Sequence, residues 1–529
     1  MKNSGLWSIA SVVVAFCVAT AIASPAKTFT VVANFDGKNG AMANGPLVQG
    51  VNGNFYGTTS YGGAHNNNTS CSGYGCGTVF EITPAGKLIV IYNFCSQKNC
   101  VDGATPSPLV LGANGNFYGT TDAGGANNNS MFCPNVGCGT VFEITPAGKL
   151  TTLYSFCAQT NCADGDDPSR LVQATNGNFY GVGASGGIDN HDAGCPLGCG
   201  TVFEITPKGG LTTVYSFCTQ PNCADGEFPQ SGLVQATNGS FYGVTLYGGT
   251  GLGNVFEVTA NGTLTNLHSF CPDYPQCSDG EYPAGILVQA SNGNLYGTTL
   301  SGGASQNAIC TSSVGCGTVF EITENGKLTT FYNFCSQTNC SDGFNPFAGL
   351  VQGTDGSFYG TTRLGGTYNS GLCGNTGCGT AFAITPGGKL STLYTFCSRT
   401  NCTDGAYSIP ALMQATNGIF SGLTDKGGAD FQGCIAGGGC GNVFTLSVGL
   451  GPFVESNPTS GKLGRAVTIL GNNLTGATSV SFNGTAATFT IVSGTEIKTT
   501  VPKRATTGFV EVKTRQKRLK SNVVFRVTK

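Results

Sequence analysis

Cysteine is the residue type whose number and spacing point most directly to chemistry in this sequence. The chain has 529 residues and 25 cysteines, of which 24 follow Cys17. These 24 fall into twelve close pairs whose members are four to six positions apart. Oxidised cysteine pairs are typical of proteins outside the reducing cytosol. The sequence therefore predicts a disulfide-rich protein that folds in an oxidising compartment.

The twelve pairs belong to two sets that alternate along the chain. The first set is Cys95/Cys100, Cys157/Cys162, Cys218/Cys223, Cys271/Cys277, Cys335/Cys340 and Cys397/Cys402. The second set is Cys71/Cys76, Cys133/Cys138, Cys195/Cys199, Cys310/Cys316, Cys373/Cys378 and Cys434/Cys440. Residues 248–253 occupy the place of a second-set pair and lack both cysteines, so the members come and go together. Each pair is therefore predicted to bond to itself. A zinc site is the alternative, although this spacing with no adjoining histidine differs from the usual CxxC pattern.

Six aspartates that each precede a glycine are the second chemical feature. An oxygen ligand set of this kind suits a hard cation such as calcium. Asp-Gly also forms tight turns, because Asp bonds its own backbone and Gly adopts positive φ. Both interpretations stay open, and Asn39-Gly40 fills a seventh, equivalent position. The candidate metal ligands are Asp102, Asp164, Asp225, Asp279, Asp342 and Asp404.

No catalytic constellation is readable in the sequence. The three histidines (His65, His191 and His268) stand in neither a repeated nor a paired setting, and no nucleophile-elbow motif occurs. The single tryptophan is Trp7, so stacking on a sugar would fall to residues such as Tyr61, Tyr247 and Phe132. We expect no catalytic residue and no tightly bound cofactor other than calcium.

A sevenfold internal repeat positions all of these residues. Leucines at 47, 109, 171, 233, 287, 350 and 412 open equivalent segments, with spacings of 54 to 63 residues. Each unit contains four short runs with β-type alternation, which in the first unit are residues 46–50, 54–59, 77–83 and 88–94. Asn-Gly, as at Asn52-Gly53, separates the first two runs and predicts a tight hairpin. Four antiparallel strands in each of seven units indicate a seven-bladed β-propeller, and a parallel β-helix is the alternative.

The two ends of the repeat region predict a closed ring. The seventh unit stops after residues 441–446 without a fourth strand, and the missing strand occurs at residues 28–35. We expect the N-terminal strand to complete the last blade, which removes an open sheet edge. The loops that carry cysteines would then emerge on one face of the propeller, and the tight turns on the other.

Three recurring phrases carry a family resemblance. They are GNFYGTT at 53–59, GTVFEITP at 139–146 and LTTVYSF at 211–217, and they return throughout residues 28–450. These repeats resemble the GloVer tandem-repeat family of secreted bacterial proteins. The resemblance implies a secreted repeat protein, often followed by a variable C-terminal module, and it implies no particular activity.

Residues 451–529 form a separate unit. The segments at 458–461, 467–474, 480–484 and 501–502 resemble an IPT/TIG domain, which implies an immunoglobulin-like β-sandwich. This unit has 12 basic against 3 acidic residues, whereas the rest of the chain has 13 against 24. Its densest basic run is Lys513, Arg515, Lys517, Arg518 and Lys520. In a secreted protein such a run favours acidic glycans or an anionic envelope over nucleic acid, unless it is only a solvated hairpin.

The first 23 residues predict a secretory signal peptide. Lys2 precedes the apolar residues 6–22, and an A-x-A cleavage site occupies 21–23. A retained anchor is the alternative, and no other segment is long enough to span a membrane. We therefore expect signal peptide 1–23, propeller 28–450 and IPT/TIG domain 451–529. The expected function is a secreted or cell-surface binding or structural protein whose loop face contacts a polysaccharide, a surface protein or an envelope component. An extracellular polysaccharide lyase or hydrolase with its site among the same loops is the alternative.

Overall fold

The computed structural model describes residues 27–65, 71, 73–127, 133, 136–188, 195, 197–249, 252–305, 310, 315–367, 372–429, 434 and 438–528. Within these residues the chain is all-β, and its only helical segments are single 3-10 turns. The predicted signal peptide lies outside the described residues. No helix among the described residues has the length and apolar character that crossing a membrane requires.

Seven antiparallel sheets form the blades of a propeller. Blade 1 has β2 Val48–Gln49, β3 Phe55–Thr59, β4 Thr78–Ile82 and β5 Leu88–Asn93. Blade 2 has β6 Ala104–Pro106, β7 Val110–Leu111, β8 Phe117–Ala123, β9 Thr140–Ile144 and β10 Leu150–Ser155. Blade 3 has β11 Asp166–Pro168, β12 Val172–Gln173, β13 Phe179–Ser185, β14 Thr201–Ile205 and β15 Leu211–Ser216. Blade 4 has β16 Val234–Gln235, β17 Phe241–Thr245, β18 Asn254–Val258 and β19 Leu264–Ser269.

The other three blades repeat this plan. Blade 5 has β20 Glu281–Pro283, β21 Val288–Gln289, β22 Leu295–Ser301, β23 Thr318–Ile322 and β24 Leu328–Asn333. Blade 6 has β25 Val351–Gln352, β26 Phe358–Thr361, β27 Thr380–Ile384 and β28 Leu390–Thr395. Blade 7 has β29 Met413–Gln414, β30 Phe420–Leu423 and β31 Asn442–Ser447, and its fourth strand is β1 Thr28–Asn34. The 3-10 turns are Lys98–Cys100, Thr160–Cys162, Pro221–Cys223, Thr338–Cys340, Thr400–Cys402 and, in the C-terminal domain, Leu474–Gly476.

Strand β1 closes the ring by pairing antiparallel with β31, from Thr28 opposite Ser447 to Asn34 opposite Asn442. The last blade is therefore built from both ends of the propeller sequence. Phe29 contributes to its core by stacking on Tyr394 and Phe444. Blade 7 therefore has four strands, in the order β1, β31, β30 and β29, as many as blades 1, 4 and 6 have.

Close packing inside a blade explains the glycine of the FYGTT phrase. In blade 1 a side chain at Gly57 would place its Cβ 2.6 Å from the ring of Phe80 and 2.9 Å from Leu47. The glycine thus leaves room for a buried phenylalanine from the third strand and a leucine from the first. The same arrangement recurs at Gly119, Gly181, Gly243, Gly297, Gly360 and Gly422.

The first strands of the blades converge on the propeller axis. A Cβ built at Gly45 would lie 2.2 Å from the Pro108 side chain, and one at Gly349 would lie 2.6 Å from the Ile286 carbonyl oxygen. Neighbouring blades therefore pack closely beside these strands. Residues upstream of the two-residue inner strand extend the inner edge of some blades. Ala104 pairs with Ala123 in blade 2, and Glu281 pairs with Ser301 in blade 5.

The C-terminal domain is a sandwich of two sheets. One sheet has the order β32 Glu455–Asn457, β34 Ala466–Leu470, β38 Glu496–Thr500 and β37 Phe489–Ile491. The other has β33 Ser460–Lys462, β40 Arg518–Thr528, β39 Gly508–Thr514, β35 Ala477–Phe482 and β36 Thr485–Ala487. Ile469, Phe482 and Phe525 are buried between them, which is the core that an immunoglobulin-like fold requires.

Candidate functional site

The propeller has two chemically different faces. Tight turns such as Asn52-Gly53 join the first and second strands, and we call the face they form the turn face. The cysteine-bearing loops join the second to the third strand and the fourth to the next first strand, and they form the opposite face, which we call the cysteine face. Topology alone sets this division, because the two kinds of connection leave opposite ends of the same strands.

The structure brings together the members of all twelve cysteine pairs, with Cα–Cα separations of 4.1 to 5.4 Å. In blade 1 the sulfur atoms of Cys71, Cys76, Cys95 and Cys100 all lie within 4.8 Å of one another. Where a blade has both kinds of disulfide, as here, the two are adjacent. Sulfur atoms that are bonded in pairs present no thiolate, so this geometry does not favour zinc.

Blades 4 and 7 depart from this arrangement, because each has a single disulfide. In blade 4 the bond joins Cys271 to Cys277, and residues 248–253, which replace the second-set loop, contain no cysteine. In blade 7 the bond joins Cys434 to Cys440, and β1 is followed by Asp36-Gly37 in place of a first-set pair. Cys277 and Cys440 are thus bonded to the partners predicted from the sequence, Cys271 and Cys434. Neither disulfide has a second one beside it in its blade.

These two isolated disulfides have different surroundings. Cys277 is buried, and its sulfur lies 3.5 Å from the carboxylate of Glu281. Its loop also lacks the 3-10 turn that ends at the second cysteine of the other first-set pairs. Cys440 is buried in an apolar cluster with Phe35 and Val443, where strand β1 completes the ring. Apolar packing thus surrounds Cys440, whereas a carboxylate lies next to Cys277.

The six Asp-Gly aspartates are buried or half-buried, and each holds the loop of its own blade. Asp102 is representative. Its Oδ2 accepts hydrogen bonds from the Tyr92 hydroxyl at 2.8 Å and from the backbone N–H and hydroxyl of Ser96, and its Oδ1 accepts one from the Gln97 N–H. In blade 4, His268 replaces the tyrosine and lies 2.7 Å from Asp279. In the seventh position Asn39 instead exchanges hydrogen bonds with Asp36. The geometry favours the turn interpretation, and calcium binding at these residues stays a prediction.

A second network, partly exposed, lies at the turn face. In blade 2, Asn114, Asn116 and the Tyr118 hydroxyl all donate to Glu143 Oε1 at 2.7 to 3.0 Å. Burial raises the pKa of Tyr118 to about 12. Burial also opposes ionisation of Glu143, but these hydrogen bonds outweigh it and lower its pKa. The network therefore contains a stable carboxylate whose role is to fix the turn.

Glutamines of the first strands join neighbouring blades. In the structure the Gln49 side-chain oxygen accepts a hydrogen bond of 3.0 Å from the Thr416 backbone N–H. The same contact recurs at Gln173, Gln235, Gln289, Gln352 and Gln414, each of which accepts from the preceding blade. Leu111 replaces the glutamine in blade 2, so this contact is missing between blades 1 and 2.

The C-terminal domain rests on the turn face. Thr495 donates to the Val51 carbonyl at 2.8 Å and Asn457 to the Gly112 carbonyl at 3.0 Å, so both contacts flank the gap at Leu111. Asn472 and Arg526 make further contacts, to Thr416 of blade 7 and to the Ala236 carbonyl of blade 4. A cavity of about 310 Å³ lies between Arg465 and the turns of blades 2 and 3. The domain thus covers turns of five blades.

One residue per blade marks the opening of the axis on the cysteine face. These seven residues have positive φ between 48° and 55° although none is glycine. Each lies a few residues before the two-residue inner strand of its blade, which is β2, β7, β12, β16, β21, β25 or β29. Six are half-buried and Asp167 is exposed, whereas most of their sequence neighbours are buried. We call them the mouth residues. They are Met42, Thr105, Asp167, Phe228, Tyr282, Asn345 and Tyr407.

Mouth residues link neighbouring blades through their backbone. The N–H of Thr105 bonds to the Cys76 carbonyl of the preceding blade, and Asn345 and Tyr407 bond in the same way to Cys316 and Cys378. These acceptors are second-set cysteines. The disulfide-bonded loop of one blade therefore fixes the backbone of the mouth residue in the next blade. In blade 5, Tyr282 bonds to Leu252, where that disulfide is missing.

The mouth side chains differ by sector. On blades 4 and 5, Tyr247 makes edge-to-face contacts with Phe228 at 5.9 Å and Tyr282 at 5.5 Å. On blades 6 and 7, Arg363 and Lys426 each lie 5.7 Å from the Tyr407 ring.

The third sector, on blades 2 and 3, is acidic. Burial raises the pKa of Asp122, and the charge of Asp167 raises it further. Asp122 is half-buried, whereas Asp167 is exposed. These residues were not predicted from the sequence. Asp167 follows the Asp-Gly-X triplet of its unit, and Asp122 and Arg363 each follow a Gly-Thr-Thr phrase, at positions where the residue type differs from unit to unit.

Several residues considered from the sequence are not brought together. Tyr247 contacts two mouth residues, Phe228 and Tyr282. His65 lies at the edge of a described segment, and His191 and Phe132 lie outside the described residues. Most of the variable loop residues at 65–70, 189–193 and 305–309 are also outside them. In the C-terminal basic run, Arg518 pairs with Glu511 at 3.4 Å and Lys520 lies 3.6 Å from the Phe509 ring.

Comparison with known proteins agrees with the two-part organisation. The sequence profile of the Gloeobacter/Verrucomicrobia repeat matches residues 19–133, 134–373 and 193–436, and that of the IPT/TIG domain matches residues 453–527. No curated protein matches the sequence.

Solved structures with a similar chain path share little sequence. A luciferin-regenerating enzyme is 10% identical and covers 68% of this chain and 95% of its own, with a TM-score of 0.36. The PQQ-bound aldose sugar dehydrogenase of Streptomyces coelicolor is 10% identical over 80% of this chain and 98% of its own, with a TM-score of 0.36. A Bacteroides thetaiotaomicron protein of unknown function is 14% identical over 70% and 82%, with a TM-score of 0.35. Likenesses this distant assign neither a ligand nor an activity.

Proposed function

Because this chain belongs to the Gloeobacter/Verrucomicrobia repeat family and ends in an IPT/TIG domain, we propose that it is a secreted or cell-surface binding protein without catalytic activity. Its ligand, an extracellular polysaccharide or a surface component, contacts the cysteine face. The abundance of disulfides and the predicted signal peptide support export, since such pairs persist only in oxidising compartments.

The observation that carries this proposal is the position of the C-terminal domain. It covers turns of blades 7, 1, 2, 3 and 4, which leaves the cysteine face as the broad free surface of the propeller. That face carries exposed large side chains, among them Tyr74, Ile188 and Tyr274, whose exposed fractions are 51%, 63% and 72%. Exposed apolar groups on a rigid, disulfide-bonded scaffold are typical of a binding surface.

A panel of glycans and polysaccharides tests the proposal with purified full-length protein. Binding and release of cleavage products are measured together. We expect binding without product release, and we expect the Tyr274→Ala and Ile188→Ala variants to weaken it. Val523→Ala, which trims an exposed apolar side chain of the C-terminal domain, is the matched control. A ligand that is lost in the control but retained in the cysteine-face variants contradicts the assignment.

One observation favours the alternative, a polysaccharide lyase or hydrolase. Burial raises the pKa of Asp122 and the charge of the neighbouring Asp167 raises it further, a perturbation that also occurs in acid–base pairs. The same panel decides between the two functions. Product release that is abolished by Asp167→Asn would establish the enzyme.

The basic run of the C-terminal domain supports attachment to an anionic envelope. Lys513, Arg515 and Lys517 lie around the turn between strands β39 and β40, and none of them belongs to an ion pair within the described residues. Cosedimentation with anionic vesicles, compared with that of a variant in which all three are glutamine, tests this role. We expect the variant to lose most of its sedimentation at low ionic strength.

A further inference from the structure

We propose that the mouth residues form a binding site for an extracellular glycan that carries protonated amines, with the sugar on the aromatic side chains and the amine beside Asp122 and Asp167. This inference rests on the proposed function, because it names the ligand class and the place of binding on the same face. Four features of the mouth support it: its backbone geometry, its aromatic sector, its acidic sector and its basic sector.

The backbone of the mouth retains side chains where glycine would be favoured. Positive φ is unfavourable for residues with a Cβ, and this chain uses glycine at most such positions, including Gly103 and Gly165. The cysteines with positive φ, such as Cys95, need their side chain for a disulfide. The mouth residues make no disulfide, yet all seven keep a side chain. These side chains differ from blade to blade while the backbone does not, which is typical of residues selected for an asymmetric ligand.

The aromatic sector can receive the faces of sugar rings. Tyr247 is 39% exposed, and it connects Phe228 of blade 4 to Tyr282 of blade 5. Blade 4 lacks the second-set disulfide loop, so fewer residues separate Tyr247 from the third strand of its blade. Nearby Tyr274 is the most exposed large apolar side chain among the described residues, at 72%. Tyrosine combines an apolar face with a hydroxyl, which suits a surface that alternates C–H and O–H groups.

The acidic sector explains why the glycan is expected to carry a cation. Asp167 lies one blade before Phe228 around the mouth. The segments that carry Asp167 and Asp122 adjoin, because Thr120, two residues before Asp122, donates a hydrogen bond of 3.0 Å to the carbonyl of Ser169, two residues after Asp167. Ser107 donates a hydrogen bond of 2.9 Å to Asp122, and within the described residues no Lys, Arg or His forms an ion pair with either aspartate. Two neighbouring carboxylates repel each other, and a cation between them would relieve that repulsion. An ammonium group on a sugar bound to the neighbouring tyrosines meets this requirement, and it also gains from their negative ring faces.

The basic sector sets the direction of the ligand. Arg363 and Lys426 flank Tyr407 on blades 6 and 7, nearly opposite blades 2 and 3 in a sevenfold ring. They would repel an ammonium group, so a cationic glycan is expected to lie across blades 2 to 5. Asp425, buried beside these two cations, offsets part of their charge.

Three short oligosaccharides of equal length test this inference by isothermal titration calorimetry with the full-length protein. The cationic probe is an N,N,N-trimethylglucosamine oligomer, whose charge does not depend on pH. The neutral probe is an N-acetylglucosamine oligomer, and the anionic probe is a galacturonic acid oligomer. We expect the cationic probe to bind at least about tenfold more tightly than the other two. Calcium chloride forms a fourth arm, and calcium that binds and excludes the cationic probe would show a metal site instead.

Variants locate the site. Asn is well tolerated at positive φ, so Asp167→Asn removes the charge without changing the backbone. We expect Asp122→Asn combined with Asp167→Asn to abolish the preference for the cationic probe, and Tyr282→Leu to weaken all glycan binding about tenfold. Glu324→Gln removes a carboxylate from the turn face and is the matched control. Unfolding temperatures of all variants are measured in parallel.

The outcomes separate this inference from the proposed function. If the neutral or anionic probe binds the cysteine face as tightly as the cationic one, the inference is wrong and the proposed function stands. If the aspartate variant keeps the full preference, the site lies elsewhere and the inference is also wrong. If no glycan of the wider panel binds the cysteine face, the inference is wrong and so is a polysaccharide ligand in the proposed function.

Discussion

The side-chain oxygen of Gln49 accepts a hydrogen bond of 3.0 Å from the backbone N–H of Thr416, so blades 1 and 7 are joined by a glutamine contact. Five further glutamines make the same contact between neighbouring blades. Ring closure therefore uses the pairing of β1 with β31 and, near the axis, the glutamine of the first strand.

We expect Gln49→Leu to destabilise the propeller more than Gln289→Leu. Thr416 is buried, so its N–H would lose its acceptor in a place that water does not reach, at a cost of about 1–3 kcal/mol. Thr237, the partner of Gln289, is exposed and can bond to water instead. Thermal unfolding of the two variants measures the difference. Equal losses of stability would contradict this explanation.

Leu111→Gln should stabilise the protein, because it supplies the glutamine that blade 2 lacks. The new side chain would accept from the Val51 N–H and add a contact of about 0.5–1.5 kcal/mol between blades 1 and 2. Leu111→Met, which keeps an unbranched apolar side chain, is the control. Denaturant unfolding should show a higher midpoint for the glutamine variant only. A midpoint no higher than that of the methionine variant would contradict a stabilising glutamine contact at this junction.

In blade 6 the carboxylate that accepts a hydrogen bond from the tyrosine comes from a different position in the sequence. Its third strand has Ala383 where blades 1, 2 and 5 have a glutamate that accepts from tyrosine, and Asp355 accepts from the Tyr359 hydroxyl at 3.0 Å instead. Asp355→Asn alone should cost about 0.5–1 kcal/mol of stability, because Asp355 is exposed and the amide oxygen still accepts weakly. Adding Ala383→Glu to it should restore most of the loss, because it recreates the Asn, Tyr and Glu set of blade 2. A double variant less stable than Asp355→Asn would contradict the equivalence of the two carboxylates.

The Asp-Gly aspartates are expected to act in folding. Asp404→Asn removes a charged acceptor of hydrogen bonds from Tyr394, Ser398 and Arg399, which should cost about 1–3 kcal/mol. Calcium and a chelator should both leave the unfolding temperature of the unmodified protein unchanged, since these donors already occupy the carboxylate. A calcium-dependent rise that Asp404→Asn abolishes would instead support the calcium hypothesis.

The repeat itself made the propeller predictable from sequence. Spacings near 62 residues, four alternating runs per unit and Asn-Gly turns all act locally, so each could be recognised without knowing what surrounds it. The IPT/TIG domain was recognisable for a similar reason, because its turn and strand motifs lie within one continuous segment. The fold was therefore confirmed where its determinants are short-range.

The candidate site was not predictable in the same way. Phe228, Tyr247 and Tyr282 come from two blades, and Asp122 meets Asp167 across a blade boundary. Their proximity depends on closure of the ring, and their types differ from unit to unit, so periodicity hides them. The docking of the C-terminal domain was missed because single hydrogen bonds such as Thr495 to Val51 leave no pattern in a sequence.

Glu455, near the junction of the two domains, should make stability depend on pH. Burial raises its pKa to about 7, and the Asn522 amide, 3.5 Å away, offsets only part of that effect. The folded protein therefore holds this proton more tightly than the unfolded chain, so its contribution to stability falls as pH rises from about 4.5 to about 7. Above pH 7 the penalty for the ionised group is fully present.

Glu455→Gln is therefore expected to raise stability at pH 8 by about 1–2 kcal/mol and to change it little at pH 4. The figure is kept below the full value of the pKa shift, because the side chain is only half-buried. Other buried acids, such as Asp122 and Asp425, titrate in both proteins and cancel in the comparison. Glu511→Gln, which breaks a surface pair with Arg518, is the control and should show no gain at pH 8. Denaturant unfolding at the two pH values gives the result, and an equal effect of Glu455→Gln at both would show that the carboxylate is solvated in the folded protein.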